Sequence, residues 1–237
     1  MLREAWDRHA EEWTAWARAP GHDSYWRFHR DAFLLLVPPP GLLTIDVGCG
    51  EGRLARDLAR LGHRVVGIDG SPTMAVEAAS HPDCGGPVVV ADAAALPLAN
   101  STADCVVAFM SLQDIDAMET AVGEAARVLT VGGRMVLAIT HPLNTAGNFA
   151  SPADADDRYR PFVISGSWFE RRRLADTCER GGYAMTFHSE HRPLQAYADA
   201  LAGAGFLIEQ LREVTEPDPS DKWHRIPLFL HVRALRA

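Results

Sequence analysis

Three aspartates fall at similar intervals, each at or just past the end of a short apolar run: Asp46, Asp69 and Asp92. The first opens Asp46-Val47-Gly48-Cys49-Gly50-Glu51-Gly52. Glycines at such spacing let a backbone turn sharply and approach a ligand without a Cβ in the way. A helix that starts just after them offers unpaired N–H groups. A carboxylate ending the next strand, about twenty residues on, can accept both hydroxyls of a ribose. Asp69 has that place. Asp92, after a third run, can accept an exocyclic amine of adenine.

Histidines supply the second kind of chemistry. His141 directly follows the apolar run Met135–Thr140, where its side chain projects beyond a strand end. A neutral imidazole there could take a proton from a hydroxyl or amine; it could equally be a structural residue beside Pro142. His188, Glu190 and His191 cluster farther on. They suit the lining of an acceptor pocket better than a metal site, because no helix-face spacing supports ligation. The four cysteines form no CxxC and no zinc spacing.

These residues need elements to hold them. Residues 2–18 read as an amphipathic helix and about 24–36 as a second helix, carrying Trp and Tyr between them and stopped by Pro20-Gly21 and Pro38-Pro39-Pro40. Strands and helices then alternate. Strands are expected at 43–47, 65–69, 88–91, 104–109 and 135–140, with helices at 54–61, from Ser71-Pro72, and at 117–129. That rhythm implies a parallel sheet covered on both faces. Residues 142–192 interrupt it with a polar stretch (Asn144, Gly147, Asn148, Ser151, Pro152). Two strand-like runs follow, 167–172 and 183–189, turned by Glu179-Arg180-Gly181-Gly182. A helix at 194–201 and strands at 206–214 and 226–235 complete the chain.

In order and spacing these motifs resemble class I S-adenosylmethionine-dependent methyltransferases of the small-molecule, type 11-like branch. The glycine loop, Asp69, Asp92-Ala93, Leu96-Pro97 and Ala125–Gly133 carry the likeness, with Arg192-Pro193-Leu194 and Ala204-Gly205-Phe206 matching more loosely. The resemblance implies a Rossmann-like, doubly wound α/β fold: a mostly parallel seven-stranded sheet with an antiparallel last strand, an N-terminal helical lid and an insertion after strand 5. It divides the chain into a lid (1–40), a cofactor-binding core (41–141), an acceptor cap (142–192) and the rest of the α/β domain (193–237). It also implies S-adenosylmethionine as cofactor. Asp46, Gly48, Gly50 and Gly52 would hold its methionine part, Asp69 the ribose, and Gly70 and Met74 the adenine and ribose faces. Asp92 and the Ala93 amide would read the adenine edge, and Met110 would line the cofactor. Gly70 departs from the pattern, being smaller than the apolar residue usual after the ribose acid. Tyr25 joins the lid aromatics facing the acceptor.

The expected activity is in-line methyl transfer to O, N or C of a small acceptor. The alternative is a cofactor-binding protein on this scaffold that transfers no methyl group. A nucleic-acid methyltransferase fits less well. The formal net charge is -8, which repels phosphate, and Met110-Ser111-Leu112-Gln113-Asp114 is not the Asx-Pro-Pro-aromatic loop such enzymes use on exocyclic amines. A dehydrogenase is disfavoured by the acid at position 46. The charged start lacks a signal peptide's apolar core, and no run is long enough to span a membrane. A cytoplasmic protein without nucleic-acid or membrane partners is expected.

Overall fold

The computed structural model describes residues 1–150 and 159–237; Ser151 and Pro152 of the polar stretch lie outside them. The N-terminal segment forms α1 (Leu2–Arg8) and α2 (Ala10–Arg18), then a π-helical turn at Tyr25–His29 that runs into α3 (Arg30–Leu34). The one helix expected over 2–18 is two, jointed at His9. The second expected helix starts with a wide π turn, a geometry that places side chains off the usual α-helical positions.

The core alternates β1 (Thr44–Val47), α4 (Arg53–Arg60), β2 (Val65–Asp69), α5 (Pro72–Ser80), β3 (Val88–Val90), β4 (Ala103–Phe109), α6 (Met118–Val128) and β5 (Leu129–Thr140). β1, β2, β3, β4 and β5 pair in parallel. β5 begins six residues before its expected start, because Gly132-Gly133 is carried within the strand at a register shift against β4.

The region after β5 holds α7 (Pro142–Ala146), the short pair β6 (Gly147–Phe149) and β7 (Phe162–Ile164), and the hairpin β8 (Arg172–Arg180) and β9 (Tyr183–His191). The hairpin turns at Gly181 and Gly182, both at positive φ, as the Gly-Gly pair implied. Its first strand starts where the expected one ended. α8 (Leu194–Gly203), β10 (Phe206–Val214) and β11 (Phe229–Arg236) finish the domain. β11 lies antiparallel between β5 and β10, giving the seven-stranded order β10-β11-β5-β4-β1-β2-β3.

Both faces of this sheet are covered, so its central strands are apolar on both sides. Along β4, Cys105, Val107 and Phe109 face the layer of α4 and residues 25–36, while Val106 and Ala108 face α6 and α8. Their carboxyl ends, and those of β1, β2 and β5, open toward one edge, where ligands bind in such sheets. Among the described residues no helix is long and apolar enough to cross a membrane.

Candidate cofactor and acceptor site

The loop after β1 is set by three glycines at positive φ, Gly48 (72°), Gly50 (55°) and Gly52 (86°). A side chain on Gly48 would also meet the Ser111 Cβ at 2.4 Å. The Asp69 carboxylate ties this loop to the next one: it accepts from the Gly50 amide (2.8 Å) and from the Ser71 amide (2.8 Å). Burial pushes its carboxyl up, and these amides oppose that. Asp46 is 1% exposed, and its Oδ2 has no hydrogen-bond partner. Burial, and then the Asp69 charge, raise its carboxyl to about 7. An ammonium group bound beside it would satisfy the orphan oxygen and relieve the crowding of the two acids. A glycine cradle, an under-satisfied acid and a ribose-type carboxylate together fit an amino-acid nucleoside such as S-adenosylmethionine.

The remaining expected cofactor positions surround the same edge. Asp92 is exposed just beyond β3, where its Oδ1 accepts from the Ala94 amide, and Ala93 beside it is half-buried. Met74 is buried in the first turn of α5, which Ser71 caps. Met110 follows β4 in a left-handed conformation (φ 58°) that is costly for a residue with a side chain. Its amide donates to Ala138 (2.8 Å), which fixes the turn leading into residues 111–116.

The acceptor-side residues do not converge. Tyr25 is buried and donates to Asp57 (2.7 Å), with the Arg53 guanidinium 4.4 Å from its ring centre. His141 Nδ1 accepts from the Leu143 amide (3.0 Å), capping α7, while Nε2 lies 3.2 Å from Glu213. Burial lowers its pKa and Glu213 pulls it back up. His188 stacks on His9 of the lid at 5.1 Å, and Glu190 pairs with Arg192. His191 is fully buried between Thr145 and the Trp168 carbonyl. Alternation along β9 sends neighbouring side chains to opposite faces.

Sequence reasoning missed the charged frame under the N-terminal helices. Glu51 is buried with Arg56 (2.7 Å) and reaches Arg18 of α2 (3.0 Å). Arg53 pairs with Asp23 at 2.5 Å and faces the rings of Trp13 and Phe109 as well as Tyr25. Asp57 joins Tyr25, Arg30 and Arg60. The signal was the run Arg53-Leu54-Ala55-Arg56-Asp57-Leu58: a helix that follows a ligand loop cannot turn charges on every side to water. Arg192, also missed, is fully buried, and its guanidinium donates to the carbonyls of Leu112, Gln113, Ile115 and Asp116. It therefore shapes the loop after β4.

The N-terminal helices and the hairpin cover each other with aromatic rings. Trp6 donates to the His188 carbonyl (2.8 Å), and Trp13 and Trp16 set their edges on Phe187 (6.1 and 5.6 Å). Beneath the π turn, His29 is 1% exposed and its Nε2 has no partner. Its ring stacks on Phe229 (4.0 Å) and on His231 (4.6 Å, 9° between planes). Arg27 grips Glu216 with one nitrogen between both carboxylate oxygens, holding the turn down.

A family described as a methyltransferase domain matches residues 45–137. A malonyl-[acyl-carrier protein] O-methyltransferase of Hahella chejuensis is 39% identical over 95 residues, 39% of this chain and 34% of that protein. The chain thus spans about a third of that relative's length. A ubiquinone/menaquinone biosynthesis C-methyltransferase of Cereibacter sphaeroides is 33% identical over 198 residues, 80% of this chain and 76% of that protein. Among solved structures, an S-adenosylmethionine-dependent methyltransferase from Mesorhizobium loti superposes with a TM-score of 0.72 at 24% identity. The alignment covers 90% of this chain and 98% of that one.

Proposed function

The chain belongs to the class I S-adenosylmethionine-dependent methyltransferases, and we propose that it transfers the cofactor's methyl group to a small organic acceptor held under the lid. The observation that carries this reading is the Asp46–Asp69 cofactor cradle under an aromatic cover: Trp13 Nε1 stands 3.3 Å from where a Gly50 Cβ would lie, and Trp13 and Trp16 pack on Phe187. Such a cover gives area and flat faces for an unsaturated ring. The name of the Cereibacter sphaeroides relative, a C-methyltransferase of quinone biosynthesis, supports a ring carbon as the methylated atom. The -8 net charge supports a small acceptor over a nucleic acid.

When bound, the cofactor supplies an electrophilic methyl group on a sulfonium. The protein's part is to bind, align and exclude water. Asp46 and the glycine loop hold the methionine end, Asp69 the ribose, and Asp92 with Ala93 the adenine edge. Arg192 fixes the loop after β4, which borders the place where acceptor and methyl group meet. His141 spends both ring nitrogens on α7 and Glu213, so its role on this reading is to position α7 beside the acceptor.

Incubation of the protein with methyl-labelled S-adenosylmethionine and a panel of quinols, phenols and amines, read by mass spectrometry, tests this. A product that gains one labelled methyl supports the proposal. Cofactor binding with no methylated product from the panel or from fractionated metabolites would instead favour a scaffold that transfers no methyl group.

A further inference from the structure

The resemblance calls for an apolar side chain after the ribose acid, to lie against the adenine, and this chain has Gly70 there. The structure shows what stands in its place. A Cβ built on Gly70 would meet Arg3 Cδ at 2.8 Å and Arg3 Cγ at 3.1 Å, with the Ala91 carbonyl next at 3.8 Å. The methylene stem of Arg3, from the lid, thus packs on bare backbone between the ends of β2 and β3. The helix that carries Arg3 is pinned close by on both sides. The Leu2 amide donates to Asp116 (3.0 Å), and Asp7 accepts from the Ser71 hydroxyl and the Thr73 amide. Arg3 itself is exposed on its outer side.

We propose that Arg3 is a cofactor-binding residue, supplying from the lid the adenine wall that position 70 lacks. This rests on the reading of the cleft as the S-adenosylmethionine site. In the structure the stem fills the slot over Gly70. With the nucleoside bound, the side chain lies one ring thickness farther out, and its planar guanidinium covers the outer face of the adenine. Arginine suits the task because its flat, weakly hydrated cation stacks on π faces, whereas a lysine ammonium offers only a point charge. The pinned ends of α1 keep the side chain within reach after it has moved. Opening the lid and releasing the nucleoside then become one event, because the wall leaves with α1.

The test is calorimetric titration of the full chain with S-adenosylhomocysteine. Arg3→Ala should weaken binding roughly 3- to 30-fold, the range of a cation on an aromatic face, and Arg3→Lys should fall in between. Gly70→Val alone should also weaken it, since its Cβ collides with the Arg3 stem. Combined with Arg3→Ala, Gly70→Val should bring the affinity back to within a few-fold of wild type, because the wall is then rebuilt from the other side. An unchanged or tighter affinity in Arg3→Ala overturns the proposal, as do two substitutions whose effects simply multiply. Thermal melting of each variant checks that the fold is intact. A wild-type chain that binds no S-adenosylhomocysteine overturns the cofactor reading itself, and this proposal with it.

Discussion

Replacing His231 with phenylalanine should flatten the loss of stability in mild acid. His231 is fully buried in a stack with His29. Burial, aided by the Arg212 charge and opposed by the Ala32 backbone, takes it from 6.5 down to about 4. The folded chain therefore refuses a proton that the unfolded chain accepts. Stability from this group is complete above the unfolded value of 6.5 and drains away as pH falls toward 4. A depression of that size corresponds to about 3 kcal/mol in full, and roughly 2 kcal/mol of it is lost by pH 5. His29, pushed well below 6.5 by burial and by the charges of His231 and Arg53, adds to the loss. Asp46 works in the opposite direction, because a carboxyl raised to about 7 regains stability as pH falls. The wild-type curve alone therefore mixes two signs, and the difference between wild type and His231→Phe isolates the histidine. Urea unfolding at pH 7.5 and pH 5 measures it. The phenylalanine keeps the stack and cannot titrate, so the variant should lose about 2 kcal/mol less than wild type between the two pH values. Equal losses in the two proteins would refute the assignment.

On the proposed reading, Asp69→Ala should weaken S-adenosylhomocysteine binding by one to two orders of magnitude in calorimetry, since a carboxylate that would accept the ribose hydroxyls and already accepts two loop amides is worth roughly 1.5–3 kcal/mol. Glu51→Ala leaves the Arg56 guanidinium buried without its carboxylate and should cost roughly 3–5 kcal/mol in chemical unfolding; a loss under 1 kcal/mol would show that Arg18 and Arg56 find other partners. His141→Ala should cost about 1 kcal/mol for the missing α7 cap and change kcat only a few-fold. A 10²- to 10⁴-fold fall in kcat, with loss of the rise of kcat/KM through the histidine range, would restore it as a general base.

The alternating core was legible because its strands are mostly short apolar runs, the first three ending at or just before Gly48, Asp69 and Asp92, and those patterns are local. The seven strands of the sheet and the Gly181-Gly182 turn could be read that way; the hairpin's first strand, expected at 167–172, lies at Arg172–Arg180, and the pair β6 and β7 was not expected. The glycine loop and Asp69 were legible for the same reason: a positive φ and a strand-end acid are properties of a few adjacent residues. The charged frame was not. Whether Arg53 or Arg56 faces water depends on Asp23 and Glu51, and on α2, which local pattern cannot place against them. The break at His9 was hidden because Trp6, Ala10 and Trp13 keep helical spacing across the joint. The contacts of His141, His188 and His191 depend on partners tens of residues away, Glu213, His9 and Trp168. Their chemistry was visible in the sequence and their surroundings were not.

The placement of β11 governs the order in which the domain can assemble. β10 touches the sheet only through β11, and β11 joins β5 across the whole of the hairpin and α8. The parallel half, from β3 to β5, closes its loops over shorter stretches of chain and can condense first. The β10–β11 pair is a local hairpin that can form apart and dock late, since long loops close slowly. Until it docks, the outer edge of β5, with Leu137 and Ile139, is an unpaired apolar strand. In that order of assembly the edge stays open to intermolecular pairing until the hairpin docks, so the tendency to aggregate would follow the docking rate and not the stability of the finished fold.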